Sequence, residues 1–126
     1  MSKSTWLSLG SFTIALLSLV SATPAENTKL VFIRALAREG RRVYVTTETV
    51  DLHTIRRFEV TSSARIRLQF PRPPYGNLEF RTVTLNRFIA LYGGKDKKKP
   101  QPTTLKSPFS ITLRGQKITA IQQQPQ

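Results

Sequence analysis

The chain has 126 residues, no cysteine, one histidine, and 20 lysines and arginines against seven acids, a formal net charge of +13. The lack of cysteine excludes disulfides, thiol nucleophiles, cysteine-ligated zinc and iron–sulfur clusters. So positive a surface is drawn to anionic polymers or anionic membranes.

Residues 1–22 read as a secretory signal peptide. Lys3 is the only charge before Glu26, an apolar run follows from Phe12 to Val20, and the small residues Val20-Ser21-Ala22 supply a cleavage pattern. Cleavage is expected after Ala22. The alternative is a retained anchor from Trp6 to Ala22, whose 17 residues fall short of the roughly 20 that a spanning helix wants. Either way the chain is expected to be exported, to the periplasm, the cell envelope or the extracellular space. Asn27, Asn77 and Asn86 all lack the hydroxyl two residues on that glycosylation needs. A domain of the remaining 104 residues can hold a core without covalent staples.

Residues 23–28 form a polar lead-in to a single domain spanning 29–121. Residues 29–36 (KLVFIRAL) are apolar on both faces, Gly40 marks a turn, and 43–50 (VYVTTETV) are rich in β-branched residues. Together they predict a hairpin. A helix over 30–39 closed by Gly40 is the alternative. Residues 51–60 are ambiguous, because Leu52, Ile55 and Phe58 recur at helical spacing while 58–61 look extended. Residues 64–70 (ARIRLQF) form the clearest strand: Ile66, Leu68 and Phe70 alternate with Arg65, Arg67 and Gln69, one face core and the other basic. The prolines of 71–77 (PRPPYGN) break it, and 78–85 resume strand character.

Residues 85–92 fit two readings. Leu85, Phe88, Ile89 and Tyr92 suit a helix face between Thr84 as N-cap and Gly93 as stop, whereas the β-rich neighbours favour a strand. We take the strand as the expectation. A basic loop, 93–104, follows. Its Gly94-Lys95 is succeeded by Asp96 and lacks a glycine five positions earlier, so it is no phosphate-binding P-loop. Residues 109–113 and 117–121 make a second hairpin around Gly115, and 122–126 (QQQPQ) read as a disordered polar tail. The expected fold is mostly β: a small antiparallel sandwich or barrel of about six strands, possibly with one short helix, with an α+β arrangement as the alternative.

Catalysis has little to draw on. His53 stands near Glu48, Asp51 and Glu59 without the partners of a metal site, and no nucleophile motif is present. No catalytic, metal or cofactor site is expected. A hydrolase of an acidic polymer is the enzymatic alternative, with Glu48 and Asp51 the first acids to try.

The candidate site is instead a set of cations: Arg41, Arg42, Arg56, Arg57, Arg65, Arg67, Lys95, Lys97, Lys98 and Lys99. Arginine offers a planar fork suited to phosphate, sulfate or carboxylate. Arg65 and Arg67 project from one sheet face, and the Arg41-Arg42 and Arg56-Arg57 pairs extend it if neighbouring strands align. The expected function is non-catalytic binding of an anionic envelope component: acidic polysaccharide, lipid headgroup or nucleic acid. The alternative is an assembly protein that takes a protein partner by sheet-edge pairing.

Overall fold

The computed structural model describes residues 26–72 and 76–125; the expected signal peptide and the residues at 73–75 and 126 lie outside them. Six strands and one helix follow in chain order: β1 Glu26–Glu39, β2 Arg42–Thr49, β3 Ile55–Arg72, β4 Asn77–Val83, α1 Leu85–Tyr92, β5 Phe109–Arg114 and β6 Lys117–Gln123.

The first hairpin turns at Gly40, whose φ of 65° lies in the left-handed region that glycine adopts without strain. Its register runs from Glu39 opposite Arg42 to Val31 opposite Thr49, with an irregularity between Ile33 and Ala35. That bulge at Arg34 explains why 29–36 looks apolar on both faces. Val31 and Ile33 point into the core, and beyond the bulge the alternation resets so that Leu36 packs on it. β1 also starts earlier than its composition suggests. Glu26, Asn27 and Thr28, read as a polar lead-in, pair with Arg114, Leu113 and Thr112 of β5.

β3 is the element on which the architecture depends. Its first part pairs with β2 from Ile55 to Val60, and its second part pairs with β4 from Ile66 to Arg72. β6 runs parallel to it along both parts, with Val60 opposite Ile118 but Arg65 opposite Ala120. The surplus of residues 61–64 on the β3 side bends the strand. The helical spacing of Leu52, Ile55 and Phe58 is incidental, since 50–54 form a turn and Ile55 opens the strand.

The pairings β2–β1–β5–β6–β3 and back to β2 close a five-stranded barrel, and β4 lies outside it as a sixth strand. β1, β2 and β3 form a meander, and β5 returns to lie beside β1, which is the Greek-key arrangement. Inward residues such as Val45, Ile66, Leu68, Ile111, Ile118 and Ile121 are fully buried and fill the interior.

Residues 85–92 are a helix, not the strand expected from their neighbours. Thr84 caps it, its hydroxyl accepting the N–H of Arg87 at 3.1 Å, and the Gly93 N–H closes it on Ile89 O. Helical spacing lets Phe88 and Leu91 enter the barrel end together, which the alternation of a strand would not. Phe88 meets Phe109 edge-on with ring centroids 6.0 Å apart. Tyr92 donates its hydroxyl to Ile33 O at 2.8 Å and so ties the helix to β1.

The tail expectation also needs correcting, because β6 continues through Gln122 and Gln123. Gln123 is completely buried. Its side-chain oxygen accepts the Gln69 N–H at 2.8 Å, and its amide nitrogen donates to Thr103 Oγ1 at 2.8 Å and Thr104 O at 2.9 Å. The long loop after α1 is thereby fastened across the sheet.

Candidate anion-binding surface

On the first part of β3 and the strands beside it, Arg34, Arg42, Arg57 and Lys117 have acid partners, whereas Arg41 and Arg56 have none among the described residues. Arg57 pairs with Glu39 and lies over the Tyr44 ring at 4.1 Å. Arg42 stands 3.9 Å from Glu59, which Lys117 approaches at 3.8 Å from the other side. Arg34, outward-facing at the β1 bulge, donates to Glu48 at 3.1 Å. Alternation sends Arg56 to the opposite side of β3 from Arg57, into a cleft with Leu30, Thr49, Leu52 and Thr54. Arg41 sits in the β1–β2 turn, beside a cleft that also takes in Arg38, Glu59, Ser62 and Lys117.

The second part of β3 differs. Arg65 and Arg67 both face outward, as their alternation requires, and neither has an acid partner among the described residues. The Arg67 guanidinium lies 5.3 Å over the Phe80 ring of β4 and 3.5 Å from the side-chain oxygen of Gln122 on β6. Stacking on an aromatic ring holds a guanidinium flat while leaving its N–H edge open to an anion. At the end of the strand, Arg72 shares a cleft with Lys99, Arg81, Pro71 and Pro100. Glu79, the one acid on β4, is taken by Arg81 at 2.8 and 2.6 Å.

The lysine run is anchored at its centre and free at its tips. Asp96 pairs with Arg87 of α1 at 3.4 Å and accepts the Lys98 N–H at 3.0 Å. The N–H groups of Lys95 and Asp96 both reach Ala90 O at the helix end. Lys95, Lys97, Lys98 and Lys99 are all exposed. The loop joins a helix to a strand, not two strands, and Lys99 is the member that reaches the Arg72 cleft.

The acids of the enzymatic alternative are poorly disposed for proton transfer. Glu48 is held by Arg34 and by His53 Nδ1 at 2.9 Å, and the Arg34 hydrogen bond first, then that of His53, lowers its pKa below the ordinary carboxylate value. A carboxyl kept ionised is a weak general acid and a weaker base. Asp51 is exposed and accepts the N–H of Leu52. His53 is exposed, and the described residues contain no cluster of three metal-ligating side chains.

Of the ten cations singled out in the sequence, the structure brings Arg65 and Arg67 together, places Lys99 near the adjoining Arg72, and divides the rest. Arg42 and Arg57 belong to an ion-paired wall beyond the bend at 61–64, and so do not extend the Arg65–Arg67 face. Phe80 and Gln122 escaped sequence reasoning. The alternation of 78–82 across a Pro-rich break from 64–70 was the one sign that Phe80 stands beside Arg67. No family model matches the chain, no curated protein matches it, and no solved structure matches it.

Proposed function

We propose that the protein is a non-catalytic binder of an anionic component of the cell envelope, exported by means of residues 1–22. Its contact surface in this reading is the outer face of the second part of β3 with β4 and β6. Arg65 and Arg67 hold successive phosphate, sulfate or carboxylate groups, Phe80 supports Arg67, and Arg72, which alternation turns to the other face at the strand's end, adds cations there with Lys99 and the exposed lysines of the 95–99 loop.

The observation that carries the reading is the uneven pairing of charge. Glu39, Glu48, Glu59 and Glu79 are each held by an arginine, whereas Arg65 and Arg67 share a face and neither has an acid partner among the described residues. An arginine left unpaired in a strongly positive protein keeps its full attraction for an anion. Fold-level analogy points the same way, since five-stranded Greek-key barrels include a class that carries oligonucleotides and oligosaccharides on an outer sheet face.

The test is binding of the protein to a heparin-like polysaccharide, single-stranded DNA and anionic vesicles between roughly 50 and 200 mM salt. Affinity for at least one of them should fall steeply with salt, and the one preferred identifies the chemical class of the partner. Absence of binding to all three at the lower salt would defeat the proposal.

A further inference from the structure

β4 is the one strand of the six that takes no part in closing the barrel, and it has a partner, β3, on one side only among the described residues. The direction of its hydrogen-bonding groups follows from β3. Gln69, opposite Phe80, gives its N–H to Gln123 and receives the Thr103 N–H on its carbonyl, so both groups point away from β4. In an antiparallel ladder such a residue forms a non-hydrogen-bonded pair, and its opposite number turns its own N–H and C=O outward as well. Phe80 therefore presents its backbone groups at the free edge, and by alternation so do Leu78 and Thr82. Pro71 agrees with this pattern. It stands opposite Leu78, where its missing N–H deprives the β3–β4 ladder of nothing.

The β4 sequence, Asn77-Leu-Glu-Phe-Arg-Thr-Val83, is complementary to itself when reversed about its centre. A second copy laid antiparallel with Phe80 opposite Phe80 sets Leu78 opposite Thr82 and Glu79 opposite Arg81, twice over by symmetry. The Phe80 and Leu78–Thr82 pairs then exchange main-chain bonds at the edge. The Glu79–Arg81 pairs fall at the closer, non-hydrogen-bonded positions, where opposite charges attract most. We infer that β4 is a self-pairing edge, and that two copies of this chain join through it into one continuous sheet about a two-fold axis. An unprotected edge strand invites such pairing. The two-fold stands perpendicular to the sheet, so the Arg65–Arg67 faces of both copies lie on the same side. The inference does not rest on anion binding and is tested without any anionic polymer.

The chain's lack of cysteine makes site-directed crosslinking clean. In the full chain, the single variant Phe80→Cys should give a disulfide-linked dimer under mild oxidation. Thr82→Cys should not, because two such residues would lie about 13 Å apart along the strands, beyond the roughly 7 Å that a disulfide tolerates. The double variant Leu78→Cys/Thr82→Cys spares Phe80 and should crosslink again. Adding Arg81→Glu to Phe80→Cys sets like charges opposite and should slow crosslinking about tenfold, and the swap Glu79→Arg/Arg81→Glu should restore it. Added salt should favour the dimer, since two copies of a +13 chain repel at low ionic strength. Crosslinking of Phe80→Cys and of Leu78→Cys/Thr82→Cys no faster than that of a Ser62→Cys control would overturn the inference. So would a Thr82→Cys dimer as abundant as the Phe80→Cys one, since that register is not the one derived.

Discussion

Replacing Gln123 by leucine isolates the contribution of a single buried amide. The side chain is fully buried and holds three groups: the N–H of Gln69, the hydroxyl of Thr103 and the carbonyl of Thr104. Leucine fills similar space but leaves the Gln69 N–H unpaired, a loss of roughly 1–3 kcal/mol, and deprives two acceptors of bonds worth about 1 kcal/mol each. The gain from burying an apolar side chain offsets part of this, leaving a net loss of roughly 2–4 kcal/mol. For a domain of this size that lowers Tm by roughly 10–25 °C. Far-ultraviolet circular dichroism on heating measures it, with Gln122→Leu as comparator. Gln122 is only half-buried and makes one long hydrogen bond, at 3.5 Å, so its replacement should stay within about 0.5 kcal/mol of wild type. Amide exchange at Thr103, which donates to Gln69 O, should quicken in the Gln123 variant alone. Equal Tm values for the two variants would refute the idea that Gln123 fastens the loop.

Four further outcomes follow from the packing and the charges. Phe88→Ala empties the barrel end that α1 plugs and should destabilise by about 3–5 kcal/mol in urea titration. Gln69 Oε1 is buried without a partner among the described residues, so Gln69→Met should hold or raise stability, by up to about 1–3 kcal/mol. Glu48 has a folded pKa below its unfolded value, so the stability it contributes is present above the unfolded pKa and disappears as pH falls through the folded one. Glu48→Gln should therefore flatten the acid limb of a stability–pH curve and leave its alkaline limb unchanged. Burial raises the Tyr92 pKa above the ordinary tyrosine value, and an alkaline absorbance titration should show one late-ionising tyrosine that Tyr92→Phe removes.

Residues 64–70 were legible because every second residue is apolar and every other one polar, mostly arginine, and a strand with one buried face has no alternative register. The glycines at 40 and 115 were legible for a similar reason, since both turns need positive φ. Residues 85–92 were not. Their composition suits a strand, and what selects the helix is the hole at the barrel end that Phe88 and Leu91 fill, a tertiary fact. Nor could the final glutamines reveal themselves, because an amide looks the same in water as in a buried network. The candidate site divided along the same line. A reader of sequence sees that Arg57 and Arg65 are both cations, but Glu39 neutralises the first from 18 residues away, through a register that only the folded sheet supplies.

The most direct test of the account sets two double variants against the wild type on a single-stranded oligonucleotide, by fluorescence anisotropy from roughly 50 to 200 mM salt. Both Arg65→Gln/Arg67→Gln and Arg42→Gln/Arg57→Gln remove two positive charges. The first should reduce the slope of log affinity against log salt by about 1.4, near 0.7 for each phosphate no longer neutralised, and the second should leave the slope unchanged. Equal reductions in the two variants would contradict it, because the protein would then be responding to anions through its total charge and not through the face built on the second part of β3.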